Sequence, residues 1–251
     1  MINYGLEDKV ALVTGGGGGI GRATALVFAY SGAAVLVSDV DAAAGAETVA
    51  QIEAAGGKAS FFKCDVSKSD EVKAMVAAAV GTYGGLDCAF NNAGINRLGD
   101  NEYDDAIWDR NMGINLSGVM RCMREEAEVM LPRGGGAIVN TASINGLVGN
   151  PGQPAYVAAK HGVVGLARHG ALRWAQSGIR VNAVCPGVIE TPMTAPLSAD
   201  PKMKALIDGM TPMGRMGTAD EIAQAVVWLC SPAASFVTGH ALVVDGGNTA
   251  L

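Results

Sequence analysis

Tyr156-Val157-Ala158-Ala159-Lys160 places a phenol and an ammonium four residues apart, on one face of a helix. An unperturbed phenol, with a pKa of about 10, is a poor base at neutral pH, but a nearby cation stabilises the phenolate and lowers that value. Such a pair can exchange a proton with an alcohol or carbonyl oxygen. Ser143 supplies a hydroxyl 13 residues earlier, at the end of an apolar run. Near the N-terminus, Thr14-Gly15-Gly16-Gly17-Gly18-Gly19-Ile20-Gly21 is a second chemical feature. A glycine-rich turn between a strand and a helix lets the backbone approach a pyrophosphate and sets that anion against helix N-terminal N–H groups. Asp39 follows the last glycine by 18 residues, where a carboxylate accepts hydrogen bonds from an adenosine ribose diol and repels a 2′-phosphate. No lysine or arginine stands at Gly16, Gly17, Gly18 or Val40 to neutralise such a phosphate. The expected cofactor is NAD rather than NADP.

These groups need a scaffold, and the chain alternates short apolar runs with helix-period segments throughout. Strands are expected at 10–14, 34–39, 59–64, 86–91, 137–143, 179–185 and 241–245. Between them, Ile20, Ala23, Leu26, Val27 and Tyr30 recur at helical spacing. Ser67-x-x-Asp70 precedes an alanine-rich helix ending near Tyr83, and Thr218-x-x-Glu221 is a capping box opening a helix to about Leu229. The alternation predicts a doubly wound α/β fold with a parallel sheet, as one domain over 1–251, with its ligand crevice beyond the carboxyl ends of the strands. Residues 186–217 break the rhythm with four prolines after Pro186, and are expected to form an irregular substrate loop or lid.

Composition bounds the function. Of 251 residues 49% are hydrophobic and 17% charged, which gives a folded globular chain rather than a disordered one. A net charge of -6 argues against nucleic acid as a partner. No apolar run suits a membrane span, and residues 1–9 lack the pattern of a signal peptide. Cys64, Cys88, Cys122, Cys185 and Cys230 sit among apolar neighbours without ligand spacing, as reduced thiols of a cytoplasmic protein do. No metal is expected. His161, His169 and His240 have no cysteine or carboxylate at ligand spacing and are read as packing or surface residues. Arg121, Arg124, Arg168 and Arg173 are read as solvated helix faces rather than a patch for an acidic acyl carrier.

Taken in order, Thr14-Gly15-x-x-x-Gly19-x-Gly21, Asn91-Asn92-Ala93-Gly94, Asn115, Ser143, Tyr156-x-x-x-Lys160, Pro186-Gly187-x-x-x-Thr191 and Val244-Asp245-Gly246-Gly247 resemble the short-chain dehydrogenases/reductases over nearly the whole chain. The resemblance implies a seven-stranded Rossmann-type sheet, a nicotinamide cofactor, no catalytic metal and a homotetramer. It implies that Tyr156 is the general acid/base and that Ser143 polarises the reacting oxygen. Lys160 would hold the nicotinamide ribose and depress the tyrosine pKa, and Asn115 would anchor a water leading the proton to solvent. By the same resemblance, Gly15, Gly18, Gly19, Ile20 and Gly21 meet the diphosphate, Asp39 the ribose, and Asp65 and Val66 the adenine. Asn92, Ala93 and Gly94 line the cofactor, while Pro186, Gly187, Ile189 and Thr191 enclose its carboxamide end. Gly18 departs from the pattern, since relatives often carry a small hydroxyl or basic residue there.

The expected activity is NAD-dependent interconversion of a secondary alcohol and a ketone. A 3-oxoacyl carrier-protein reductase is the alternative within enzymes, which Asp39 disfavours because that chemistry draws on NADPH. A cofactor-binding regulator without catalysis is a further alternative. Met193, Met203, Met210, Met213 and Met216 fall in the stretch after Pro186-Gly187. They are read either as contacts for an apolar or cyclic substrate or as packing and subunit contacts.

Overall fold

The computed structural model describes residues 1–97, 99 and 101–250. Its strands are β1 (Val10–Thr14), β2 (Ala34–Asp39), β3 (Lys58–Lys63), β4 (Cys88–Asn91), β5 (Gly136–Thr141), β6 (Ile179–Pro186), β7 (Ile189–Glu190), β8 (Gly217–Thr218) and β9 (Ala241–Val244). The helices are α1 (Gly19–Tyr30), α2 (Ala42–Ala54), α3 (Ser69–Tyr83), α4 (Asp105–Asn115), α5 (Ser117–Met130), α6 (Pro154–Trp174), α7 (Ala195–Ala199), α8 (Pro201–Met210) and α9 (Ala219–Cys230). Seven strands pair in the order β3-β2-β1-β4-β5-β6-β9, all parallel. β7 and β8 form a separate parallel pair.

Successive strand residues point to opposite faces, and both faces of this sheet are covered. Leu12, Leu36, Ile138 and Val181 join Met75, Met123, Met130 and Val163 in a core with α3, α5 and α6. On the opposite face Val13, Val37, Val139 and Val184 join Val27, Phe28, Ile222 and Val226 in a second core with α1 and α9. Continuous apolar runs are what a sheet covered on both sides requires. The order of strands reverses between β1 and β4, so the crevice opens beyond Thr14 and Asn91. Among the described residues no helix is long and apolar enough to cross a membrane.

The structure corrects three local expectations. β5 ends at Thr141, and Ser143 instead caps a short 3-10 turn over Ile144–Gly146 by accepting the Asn145 N–H. Ser67 does not cap α3; its N–H and hydroxyl both turn back to Asp65, while Lys68 holds the N-cap position without a side-chain bond. The stretch 186–217 is not irregular throughout, since it contains α7 and α8. Pro196 and Pro201 stand in the first positions of those helices, where the missing N–H costs nothing. Asp200 caps α8 by accepting the Lys202 N–H. Met203, Leu206, Ile207 and Met210 recur at helical spacing in α8, although Ile207 alone of its residues is buried. The segment after Gly94 includes Leu98 and Asp100, which lie outside the described residues, as does Leu251 at the end of the expected domain.

Candidate active site

The glycine-rich turn is folded tightly against itself. Gly15 has φ +62°, and a Cβ on Gly21 would stand 2.0 Å from the Gly15 carbonyl oxygen, so only glycine fits there. Gly21 therefore shapes the turn from behind, whereas Gly15, Gly18, Gly19 and Ile20 line a cavity of about 420 Å³. α1 starts from Gly18 with no side-chain cap and no acidic residue in its first turn, which leaves its leading N–H groups for an anion. Asp39 accepts the Gly17 N–H at 2.9 Å and the Asp41 N–H at 3.0 Å. Arg22, in the first turn of α1, is occupied from below: it pairs with Glu47 at 2.9 Å and donates to the Gly17 carbonyl and the Thr48 hydroxyl. The buried Ser38 hydroxyl lines the same cavity and has no geometric hydrogen-bond partner among the described residues. An orphaned hydroxyl beside a carboxylate, facing uncapped helix N–H groups across one cavity, fits an adenosine diphosphate moiety.

β1 and β4 are tied together at the switch point. Thr14 Oγ1 accepts the N–H groups of Asn92 and Ala93 at 3.0 and 3.1 Å. The Asn92 amide donates to the carbonyls of Thr14 and Gly15, and Thr141 donates to Asn92 Oδ1. Asn92, Ala93 and Gly94 line the cavity, as do Asp65 and Val66 on its other flank. Asp65 is held below the usual carboxylate range by bonds from Ser67, with Lys68 and Arg110 adding to the pull against burial. Arg110 lines the cavity as well, and sequence reasoning missed it; it stands one helical turn before Ile114, another lining residue. Pro186, Gly187, Ile189 and Thr191 line the far end, where Thr194 accepts the Thr191 N–H and donates to the Ile189 carbonyl.

α6 presents Tyr156 and Lys160 to this cavity together with Ser143. Burial raises the Tyr156 phenol above its ordinary value, and the neighbouring Ser143 hydroxyl pulls it the other way. Lys160 Nζ lies 5.4 Å from the centre of the Tyr156 ring and donates to the Thr141 carbonyl at 2.7 Å. Burial lowers Lys160 to about 8. Burial is the largest influence on both groups, raising the phenol and lowering the ammonium, and Lys160 is not among the groups that depress Tyr156 here. Asn115 is fully buried and lines no part of the cavity. Its Oδ1 accepts the Ile95 N–H and its Nδ2 donates to the Ile95 carbonyl, both at 2.8 Å. The amide thus fixes the backbone just past Gly94, where a Cβ would stand 3.0 Å from Asn115 Oδ1 and 3.8 Å from Lys160 Nζ.

Of the five methionines after Pro186-Gly187, Met193 lines the cavity. Met216 is buried, while Met203, Met210 and Met213 are exposed away from it. His161 turns to the Val157 carbonyl of its own helix at 3.0 Å, and Arg124 pairs with Glu125 at 2.8 Å.

Comparison with known proteins adds to this geometry. A family described as enoyl-(acyl carrier protein) reductase matches residues 15–249. A 2,5-dichloro-2,5-cyclohexadiene-1,4-diol dehydrogenase of Sphingobium indicum is 46% identical over 250 residues, 98% of this chain and 99% of that protein. A cyclohexanol dehydrogenase of an Acinetobacter species is 46% identical over 247 residues, 97% of this chain and 96% of that protein. Among solved structures, levodione reductase superposes with a TM-score of 0.94 at 37% identity, covering 98% of this chain and 99% of that one.

Proposed function

The chain belongs to the short-chain dehydrogenase/reductase family, and from that premise we propose that it is an NAD-dependent oxidoreductase interconverting a secondary alcohol and a ketone on an apolar, cyclic substrate. Membership makes it an oxidoreductase that uses a nicotinamide nucleotide. The observation that carries the reaction is the meeting of Tyr156, Ser143 and Lys160 at one end of a cavity whose other end holds Asp39 and the glycine turn. A bound nicotinamide ring supplies the hydride acceptor. In the oxidising direction, Tyr156 takes the hydroxyl proton of the alcohol and Ser143 donates a hydrogen bond to the oxygen as it becomes a carbonyl. The Lys160 ammonium would hold the nicotinamide ribose of a bound cofactor, and Asn115 keeps the Ile95 segment in place.

The preference for NAD rests on Asp39, whose carboxylate faces the cavity while Arg22 is committed to Glu47 and Gly17. The same carboxylate weighs against a 3-oxoacyl carrier-protein reductase, and the grouped Tyr156, Ser143 and Lys160 weigh against a regulator without catalysis. The cyclic substrate is supported by the two ring-alcohol dehydrogenases at 46% identity and by the mostly apolar lining of Ile95, Ile114, Ala142, Pro192 and Met193 near the reacting groups. The remaining lining residues after Pro186 would form the substrate side of a single domain. A homotetramer in the cytoplasm, with all five cysteines free and buried, completes the reading. The test is NADH absorbance with a panel of ring, steroidal and linear alcohols and polyols, run with NAD and NADP. Turnover of ring alcohols with NAD supports it; turnover confined to NADPH and acyl thioesters overturns it.

A further inference from the structure

Beneath the cavity floor three polar side chains meet inside an otherwise apolar core. Asn91 ends β4, Asn140 lies beside it on β5, and Glu126 reaches up from α5; none is more than 2% exposed. Asn91 Nδ2 spends both of its hydrogens, one on Glu126 Oε2 at 2.9 Å and one on Asn140 Oδ1 at 3.0 Å. The Asn140 amide nitrogen in turn lies 3.3 Å from Met123 Sδ. Two atoms are left over: Asn91 Oδ1 and Glu126 Oε1 are both buried and both without a hydrogen-bond partner among the described residues. With Glu126 ionised, each would be a buried acceptor facing no donor, which costs the desolvation of both.

One proton removes both defects. A carboxylic acid and a primary amide can face each other through two hydrogen bonds, each group donating once and accepting once. The first of those bonds is present, and the two orphaned oxygens are the atoms that the second would join. We propose that Glu126 is a neutral carboxylic acid whose Oε1–H donates to Asn91 Oδ1, closing a two-bond acid–amide pair that positions the ends of β4 and β5.

The surroundings agree. Burial pushes the Glu126 carboxyl up to about 8, with only the Asn91 bond pulling it down. Cys122, on the same helix, faces it with a thiol that burial holds protonated, and Cys230 of α9 feels it weakly and is likewise protonated. α3 and α6, packed against α5, bring Val76, Ala79, Val163 and Ala167 to this core.

Glu126 touches neither cavity nor substrate, so its role is that of a positioning residue. The residue that follows β4 is Asn92, which braces the glycine turn through Thr14 and Gly15. The next along β5 is Thr141, whose carbonyl holds Lys160. The positional consequence rests on the site proposed above, whereas the protonation state does not.

The test compares the unmodified protein with Glu126→Gln and Glu126→Leu. Glutamine can form the same two bonds and cannot ionise. An infrared carbonyl band of a protonated carboxylic acid should be present in the unmodified protein at neutral pH and absent from Glu126→Gln. The carboxyl titrates near 4.5 in an unfolded chain and near 8 in the folded one, so the folded state holds the extra proton between those values. Stability therefore falls as pH rises through that window and levels above it. The Tm of Glu126→Gln should gain several degrees on the unmodified protein from the acid to the alkaline side of that window. NADH affinity should stay near the unmodified value in Glu126→Gln and drop in Glu126→Leu. A missing carboxylic-acid band, or a Tm difference independent of pH, overturns the proposal even if Glu126→Leu fails to fold. Both readouts need no substrate, so their failure leaves the oxidoreductase reading intact, and a failed alcohol panel leaves the acid–amide pair intact.

Discussion

The ammonium of Lys160 is bonded to the Thr141 carbonyl at 2.7 Å while standing 5.4 Å from the centre of the Tyr156 ring. One buried cation thus serves the strand end below it and the cavity above it. Burial lowers its pKa from 10.5 to about 8, so in the cofactor-free protein the charge fades as pH rises past about 8. Between about 8 and 10.5 the unfolded chain holds the extra proton, so this group alone makes stability rise with pH there, opposite in sign to Glu126 and in a higher window. NADH affinity, followed by fluorescence titration, should weaken above about pH 8, and the loss should persist in Glu126→Gln. A constant Kd across that range would show that the ammonium does not hold the cofactor.

Tyr156→Phe should remove proton transfer and leave the cofactor end untouched, because the glycine turn and Asp39 have no bond to the phenol. General acid/base catalysis contributes about 10² to 10⁴ in rate, and turnover should fall by at least that with NADH binding preserved. Burial raises the phenol above its ordinary value. Alcohol oxidation, which needs the phenolate, should therefore climb with pH across the neutral range, while ketone reduction, which needs the phenol, should decline on the alkaline side. A Tyr156→Phe protein with most of its activity would remove the assignment.

Asp39 accepts the Gly17 N–H at 2.9 Å, and a Cβ on Gly17 would lie 2.9 Å from the same Asp39 oxygen. The carboxylate is therefore part of the turn as well as a candidate ribose acceptor. Asp39→Ala should lose NAD affinity on both counts, and a bond to a charged group is worth about 1.5 to 3 kcal/mol. NADP should gain relative to NAD, since the repulsion is gone, without reaching the level NAD has in the unmodified protein. Equal kcat/KM with both cofactors before mutation would refute the NAD preference.

The fold was largely legible because seven strands covered on both faces must be continuous apolar runs, and such runs stand out. Strand ends were less so: Ser143 reads as part of β5 by composition, yet its backbone is needed for the turn it caps. α8 was masked because Pro192, Pro196, Pro201 and Pro212 crowd the stretch and resemble breakers, although Met203, Leu206, Ile207 and Met210 keep helical spacing within it. Of the site, residues in motifs were readable from the chain, whereas Ser38 and Arg110 were not. Each reaches the cavity only because the sheet order and the placement of α4 bring it there, a long-range fact with no local spacing to mark it. The pairing of Glu126 with Asn91, 35 residues apart, was hidden for the same reason.

Substrate shape is the remaining question, and the methionines now divide. Met193 lines the cavity beside Pro192 and Thr194, close in sequence to Thr191. It is 51% exposed on the cavity-facing stretch, and an unbranched thioether in such a place adapts to an irregular apolar surface. Met203, Met210 and Met213 are exposed without lining the cavity and Met216 is buried, so of the two roles open to the five, substrate contact is proposed for Met193 and packing or subunit contact for the others. Met193→Ala should raise KM for a ring alcohol while leaving kcat and NADH affinity near their unmodified values. Loss of contact with one apolar side chain corresponds to about 1.5 to 3 kcal/mol at full burial, and half-exposed Met193 should give roughly half of that, about 0.75 to 1.5 kcal/mol, or several-fold to about tenfold in KM. Met210→Ala, made in parallel, should leave KM unchanged. If the two variants behave alike, Met193 packs the segment rather than touching substrate, and the apolar preference must then come from Ile95, Ile114 and Ala142.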